Sequence, residues 1–425
     1  MKNNVAAALN DGFSEPIRDA LWGHIYLTCE LESLTRCGAF IRLYRIAQLG
    51  PASLTYPGGT HTRAAHSLGV YYITRRLLAN LASRGAAWLT ATGIRSMLCA
   101  ALLHDIGHFP YAHSLKELPL ASHEALAGRI IRAEPVRSLV GKTGADPDLT
   151  AAVVDTDIDG KDFGGELVFY RKLLSGCLDP DKLDYLNRDA RFCGVPYGAQ
   201  DVDFILSTLI PHEKRGVDIE SKGITGVESL LFSKYLMYRT VYWHHSVRCA
   251  TTMVKKALLS GLNEQIIMPW ELYNLDDEGL FSLLAAREHP LFEMALRVRS
   301  GQLFTTAVEI PFDEALFSGV DDIKNRVHHE MALAAFLRKR GAENITGKDI
   351  VLDVPECFSF ETELFVHDKD CVFKQCGSVF SGETAAAFVK TLRIMRVFVD
   401  QPYKNSVKSI PVEEYLNLFQ ELAGG

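Results

Sequence analysis

Paired cysteines are missing from this sequence. Nine cysteines stand at positions 29, 37, 99, 177, 193, 249, 357, 371 and 376, and no two form a CxxC. An odd, scattered set gives no disulfide framework, so reduced thiols are expected. Long apolar runs are also missing: none approaches the ~18 residues that span a bilayer. The opening stretch, MKNNVAAALNDGFSEP, lacks a basic segment followed by a sustained apolar one. A soluble, cytoplasmic chain is the expectation, with no membrane partner. Nor is there an excess of positive charge. The 45 Lys and Arg against 52 Asp and Glu leave a formal charge of −7. That argues against a dedicated nucleic-acid surface but leaves room for a local cationic pocket.

Several nucleotide and nucleophile motifs are absent too. No GxGxxG opens a helix after a strand, which removes support for nicotinamide chemistry, and no GxSxG elbow occurs. Gly141-Lys142-Thr143 imitates the end of a P-loop, but Val136 stands where the leading glycine belongs. Lys255-Lys256 and the RKR at 338–340 read as solvated faces. No fixed-period repeat or low-complexity tract stands out.

What is present is an ordinary globular composition, 48% apolar and 23% charged, over 425 residues. Such a length suggests two or three domains. Helical spacing recurs in LESLTRCGAFIRLYRIAQL, stopped by Gly50-Pro51, then over about 63–81 and from about 93 to His104–Asp105. Shorter helical pieces follow near 123–133, 148–155 and 166–175, and the Gly- and Asp-rich 141–165 stretch reads as a surface excursion. Periodicity resumes at 181–191, 201–210, 226–260 and 276–299. Beyond about 301 the texture changes: KDIVLDVPE, CVFKQCGSVF and LRIMRVFVD read as strands, flanked by helices at 321–340 and 411–422. The expected fold is mainly α, a large helical domain over 1–300 followed by a smaller α+β region over 301–425.

The chemistry concentrates in LLHDIGHFPYAHS, residues 102–114, where an apolar run ends in His104-Asp105 and His108 and His113 follow. Neighbouring side chains on a helix diverge by about 100°, so His104 and Asp105 can share one ion only from its wall. Further ligands must come from elsewhere. RAAHSLG supplies His66, and LDPDKLDYLNRDAR supplies carboxylates including Asp181. Two imidazoles and two carboxylates suit Zn, Mn, Fe or Ni. Such an ion polarises a phosphoryl oxygen or acidifies a bound water. His108, His113 and His123 are candidates for proton transfer or for stabilising developing phosphate charge.

RAAHSLG, HDIGHFPYAH and DPDKLDYLNRDAR, in that order, resemble the motif set of the HD-domain metal-dependent phosphohydrolases. More closely they are similar to the deoxynucleoside triphosphate triphosphohydrolase branch, to which SAM- and HD-domain proteins belong. The resemblance covers roughly 15–250; beyond about 300 only the texture is similar. It implies an all-helical HD core, and places His66, His104, Asp105 and Asp181 on the metal-ligand positions. It sets His108, His113 and His123 on the catalytic side of the metal, and Arg63 on the α-phosphate. Gln48 and Leu49 match the pair that contacts the sugar, Asp189 a residue near its hydroxyl, and Lys182 and Tyr185 residues that grip the outer phosphates. Lys234, Tyr238 and Tyr242, four apart in FSKYLMYRTVYWHH, resemble the segment carrying a cation for phosphate and rings for sugar and base. The tyrosines alone would also read as a core stripe.

The implied substrate is a deoxynucleoside triphosphate, with Mg accompanying the nucleotide, and the implied assembly a homo-oligomer, tetrameric or otherwise. Two departures stand out. Lys116 replaces an acidic residue that some relatives carry three positions after the histidine matching His113; Glu117 is adjacent but would point elsewhere. Arg36, Ile41 and Tyr44 occupy a helix where nucleotide-activated relatives place polar or charged groups. Two other readings stay open: an HD nucleotidase or phosphodiesterase acting on another phosphate ester, and a nucleotide sensor that hydrolyses little. Against the first, neither the GYP signature of cyclic-dinucleotide enzymes nor the Glu-Asp pair of guanosine-tetraphosphate hydrolases occurs.

Overall fold

In a computed structural model, which describes residues 2–357, 359–360 and 362–424, the chain is mainly α with three small sheets. The centre is built from the Arg63–Ser83, Ala91–Leu103 and Pro180–Cys193 helices, the first packing on each of the other two. Each starts on a side-chain cap. Thr62 accepts from Ala65 N, Thr90 from Gly93 N and Asp179 from Lys182 N. Pro180 occupies the first turn of the third, where its missing N–H costs nothing. Phe40, Tyr71, Leu98, Phe169 and Leu186 fill the first apolar core. Among the described residues no helix is long and apolar enough to cross a membrane.

The sheets sit around this helical body. Glu15–Asp19 and Gly23–Leu27 form an antiparallel hairpin. Leu209–His212 and Gly216–Ile219 form another, extended by the short Phe365–Val366 and Cys371–Val372 strands. The third sheet places Ile394–Val399 between Thr305–Pro311 and Ile350–Asp353, antiparallel to both. The Arg326–Arg338 and Val412–Gly424 helices contribute Leu333, Leu337, Tyr415 and Phe419 to its core. Phe360, Leu364, Val366, Phe373 and Phe380 also lie in the same core as the central helices.

Several sequence expectations change. The helix expected through 31–49 splits into Cys29–Thr35 and Gly38–Leu43, because Cys37 is extended. The 226–260 helix also breaks. It passes through a π-helical turn at Tyr238–Tyr242 and restarts at His245, where His244 turns extended and caps Ser246 N. Pro290 lies between Asp277–Ala285 and Phe292–Arg299, within the expected 276–299 helix. The helix expected at 148–155 forms as Pro147–Val154, capped by Asp146, but it is largely buried, so the 141–165 stretch is not simply a surface excursion. CVFKQCGSVF is mostly turn, and it brings Cys371 and Cys376 together as a disulfide with a Cα separation of 6.3 Å. The expectation of reduced thiols throughout is therefore corrected: a tight turn after a two-residue strand supplies a proximity that the spacing did not advertise.

Candidate active site

Three central helices meet where the Ala91–Leu103 helix ends. His104 is its C-cap and Asp105 begins the turn, while the Arg63–Ser83 helix delivers His66 one turn from its start and Pro180–Cys193 delivers Asp181 in its first turn. Donor atoms of His66, His104 and Asp105 all lie within 4.8 Å of one another. His66 Nε2 is 2.9 Å from Asp181 Oδ1, and His104 Nε2 lies 3.9 Å from that same oxygen. The four side chains converge on one point although 115 positions separate the first from the last in sequence.

These donors fit a divalent ion. His104 Nδ1 donates to Ala101 O at 2.9 Å, which leaves its Nε2 as a bare acceptor, and that atom is buried without a hydrogen-bond partner. His66 Nδ1 donates to Asp184 Oδ2 at 2.8 Å, the carboxylate support that commonly orients a metal-binding imidazole. Asp181 keeps 38% of its side chain exposed, so the assembly opens to solvent on that side.

Charge is concentrated here. Burial is the largest influence on His66 and acts to lower its pKa, but the hydrogen bonds and charges of Asp181 and Asp184 outweigh it and hold the pKa up to about 10. Asp105, buried as well, is nonetheless held well below the usual carboxylate range by His108, His104 and Arg63. Arg63 Nη1 donates to its Oδ2 at 2.7 Å.

Beside this set, His108, His113 and His123 form a stacked group. The His108 and His123 rings are 3.9 Å apart at 26°, and His113 lies 4.6 and 4.9 Å from them. Gly107 makes the approach possible, because a Cβ there would sit 2.1 Å from His123 O. His108 is fully buried, whereas His113 is exposed. Burial lowers the pKa of His108 and that of His123, the latter to about 4, with Arg63 adding to the effect. The donor nitrogens of His108, His113 and His123 would also fit one ion. Lys116 is exposed, and Glu117 turns away to pair with Lys255.

Tyr185, Tyr238 and Tyr242 stand together beside Asp189. Tyr242 OH donates to Asp189 Oδ2 at 2.6 Å, the Tyr238 and Tyr242 rings are 5.0 Å apart, and Tyr185 stands 6.3 Å from Tyr242. Gln48 donates its backbone N–H to His61 O at 3.0 Å, and its side-chain Oε1 is buried without a partner. Leu49, half-buried, precedes the short Gly50–Leu54 helix. The two lysines are already engaged. Lys182 Nζ meets Asp179 Oδ2 at 2.6 Å and Gly176 O at 3.1 Å, and Lys234 Nζ donates to Ser359 O at 3.3 Å.

Sequence reasoning missed four supports. Asp184 accepts from His66, from Trp22 Nε1 at 2.5 Å and from Arg188 Nε and Nη2 at 2.8 and 3.0 Å. Arg188 also reaches Asp19 at 2.8 Å. Buried Arg42 donates to the carbonyls of Ile106, His108 and Leu275, holding the turn after Asp105. His61 pairs with Asp189. The Asp184–Arg188 spacing of four on a helix was a readable signal; the others were isolated polar residues in apolar or loop context.

Comparison with known proteins agrees with this geometry. The HD domain pattern matches residues 63–153, and the HD associated region matches 201–421, about half of the chain. An uncharacterized protein of Methanocaldococcus jannaschii is 31% identical over 335 residues, covering 76% of this chain and 68% of that one. Human deoxynucleoside triphosphate triphosphohydrolase SAMHD1 is 25% identical over 281 residues, 58% of this chain and 44% of its own. The chain spans about half the length of its relatives in Bacillus subtilis and Mycoplasma pneumoniae. The crystal structure of a phosphohydrolase from Bacteroides thetaiotaomicron shares the fold, with a TM-score of 0.70 at 24% identity over 91% of this chain and all of that one. With both the HD domain and its associated region matched, and with the His66, His104, Asp105 and Asp181 donors gathered at one point, the chain belongs to the HD-domain phosphohydrolase family.

Proposed function

We propose that the protein hydrolyses deoxynucleoside triphosphates to the deoxynucleoside and inorganic triphosphate. One observation carries the reading: a metal-type donor set, a histidine group and a buried arginine meet at Asp105, and the helix that carries Asp181 also carries Asp189, which is bonded to a tyrosine cluster. Similarity to a triphosphohydrolase named for this substrate supports it.

His66, His104, Asp105 and Asp181 would hold a divalent ion, Mn, Fe, Ni or Zn, which when bound supplies Lewis-acid polarisation and a more acidic water. The chain's own groups do the rest. Asp184 keeps the His66 Nδ1 protonated, so that Nε2 faces the site. His108, His113 and His123 accept or relay a proton beside the α-phosphorus in this reading. Arg63 meets charge developing on the α-phosphate, and Lys182 and Lys234 take the outer phosphates after exchanging Asp179 and Ser359 for them. Mg accompanies the triphosphate. Tyr185, Tyr238 and Tyr242 border the sugar and base, with Gln48, Leu49 and Asp189 at the sugar. In this reading residues 1–300 carry the chemistry. Residues 301–425 cover and brace it, consistent with Ser359 meeting Lys234 and Phe360 packing in the first core, and the working form is a homo-oligomer.

The test is triphosphate release from each dNTP, with and without Mn or Mg, beside the His104→Ala/Asp105→Ala double variant. Release that needs metal and disappears in the double variant is expected. Nucleoside monophosphate and pyrophosphate as products would assign a different phosphate ester, and binding with no product under any condition would make the protein a sensor.

A further inference from the structure

We infer that the cavity between the His245–Asn263 and Arg326–Arg338 helices binds a small amphipathic monoanion, a medium-chain aliphatic carboxylate. The site is separate from the nucleotide chemistry proposed above and does not depend on it.

The cavity has a volume of about 530 Å³, within the roughly 300–1,000 Å³ usual for small-molecule sites. One face of each helix lines it. Thr252, Lys255, Lys256 and Leu259 recur at helical spacing on the first, and Arg326, Val327, Glu330 and Met331 on the second. Leu291, Ile323 and Leu352 complete the apolar lining. Val327 and Met331 face the cavity yet stay 55% and 62% exposed, so apolar surface is left open to a ligand.

Charge selects the sign of that ligand. Lys255 and Lys256, expected on a solvated face, turn inward instead. Lys255 pairs with Glu117, and Lys256 meets Glu330 at 2.7 Å and the Ile350 carbonyl at 2.6 Å. Glu264, the other lining carboxylate, is taken up by Ser260 and His289. Arg326 is 4% exposed, and its guanidinium donates to the carbonyls of Leu352 and Asp321. Among the described residues no carboxylate pairs with Arg326 or with the exposed Lys348. A buried cation held only by neutral acceptors gains from an anion brought beside it. The cations Lys255, Lys256, Arg326 and Lys348 stand against the carboxylates of Glu117, Glu264 and Glu330, so a single negative charge balances the site.

The same walls set the class. Leucine, isoleucine, valine and methionine side chains suit an aliphatic body, and the flexible Met331 can follow its shape. No aromatic ring lines the cavity among the described residues, so a nucleobase has nothing to stack on. Glu264 and Glu330 oppose a densely charged group such as a triphosphate. An alkyl chain ending in one carboxylate meets both demands.

The experiment titrates the full chain with octanoate by calorimetry, with octanol as the neutral comparator and a dNTP as competitor. The wild type is run beside Met331→Glu, Val327→Glu and Lys348→Glu, with folding checked by thermal unfolding. All three positions are exposed, so the variants should fold, and either apolar-wall variant carries the comparison alone if the other does not. Octanoate should bind once per chain and roughly 10-fold tighter than octanol, the scale of one charge-assisted contact. Met331→Glu and Val327→Glu should each weaken it about 10-fold or more by setting a carboxylate in the apolar wall. Lys348→Glu should weaken octanoate about three- to tenfold and leave octanol within about twofold. Equal affinity for acid and alcohol, binding that survives all three changes, displacement by the dNTP, or no binding at all would each overturn the inference and leave the hydrolase reading intact.

Discussion

Replacing Asp184 by asparagine should separate the fold of this protein from its capacity for metal more sharply than changing any ligand. Asp184 is fully buried, and each of its oxygens accepts from two donors: Oδ1 from Trp22 and Arg188, Oδ2 from His66 and Arg188. Asparagine preserves the shape but turns one oxygen into an NH2, so whichever way the amide is placed it faces two donors with another donor. Removing one partner of a buried ion pair costs roughly 3–5 kcal/mol. Asp19 still holds Arg188 at 2.8 Å, which puts the expected loss at the lower end. The carboxyl's own titration gives a similar scale. Burial alone would raise its pKa, but Arg188 and His66 hold it down to about 2. A carboxylate depressed in this way contributes stability that is complete above its unfolded pKa and is lost as pH falls through the folded one. The shift corresponds to about 2 kcal/mol, present at pH 7 and disappearing between roughly pH 4 and 2.

Two measurements check this. Denaturant unfolding at pH 7 should show Asp184→Asn less stable by about 2–3 kcal/mol. Metal titration of the folded variant should show about 10- to 100-fold weaker binding, because His66 loses the group that fixes its tautomer. A variant within ~0.5 kcal/mol of the wild type, the usual range for an innocuous surface change, with unchanged metal affinity would refute the reasoning.

Two further predictions draw on neighbouring positions. Gly69→Ala, in mid-helix, should stabilise by about 1 kcal/mol on propensity alone; instead it should destabilise and weaken metal binding, because a Cβ there would stand 1.8 Å from Asp184 Oδ1. A higher melting temperature for Gly69→Ala would show that the carboxylate can move freely. Asp277 behaves oppositely to Asp184. Burial raises its pKa to about 6, despite the hydrogen bond from Ala47 N at 2.8 Å and the charge of Arg63. A raised carboxyl contributes stability that is complete below its unfolded pKa and is lost as pH rises through 6, so Asp277→Asn, which keeps an acceptor for Ala47, should gain up to about 3 kcal/mol at pH 8 and nothing near pH 4. Melting curves against pH decide it, and a gain confined to acid would contradict the assignment.

The sequence by itself determined the helical class and the elements that carry the candidate residues. His104-Asp105 closes an apolar helix, a capping threonine opens the helix that carries His66, and Asp-Pro-Asp opens the one that carries Asp181, all local signals readable without neighbours. The helix end at 286 is announced by Pro290, but the ends at 36 and 243 were not legible, since the apolar spacing continues across them and only packing rewards the break. The disulfide and the packing of Phe360, Phe373 and Phe380 in the first core were hidden for the same reason. Tertiary structure alone decided which polar groups support the site. Asp184, Arg188, Trp22, Asp19, Arg42 and His61 owe their roles to partners as many as 233 positions away. A helix's period announces which face is apolar, whereas a buried polar side chain is specified by the donor or acceptor that folding brings opposite it.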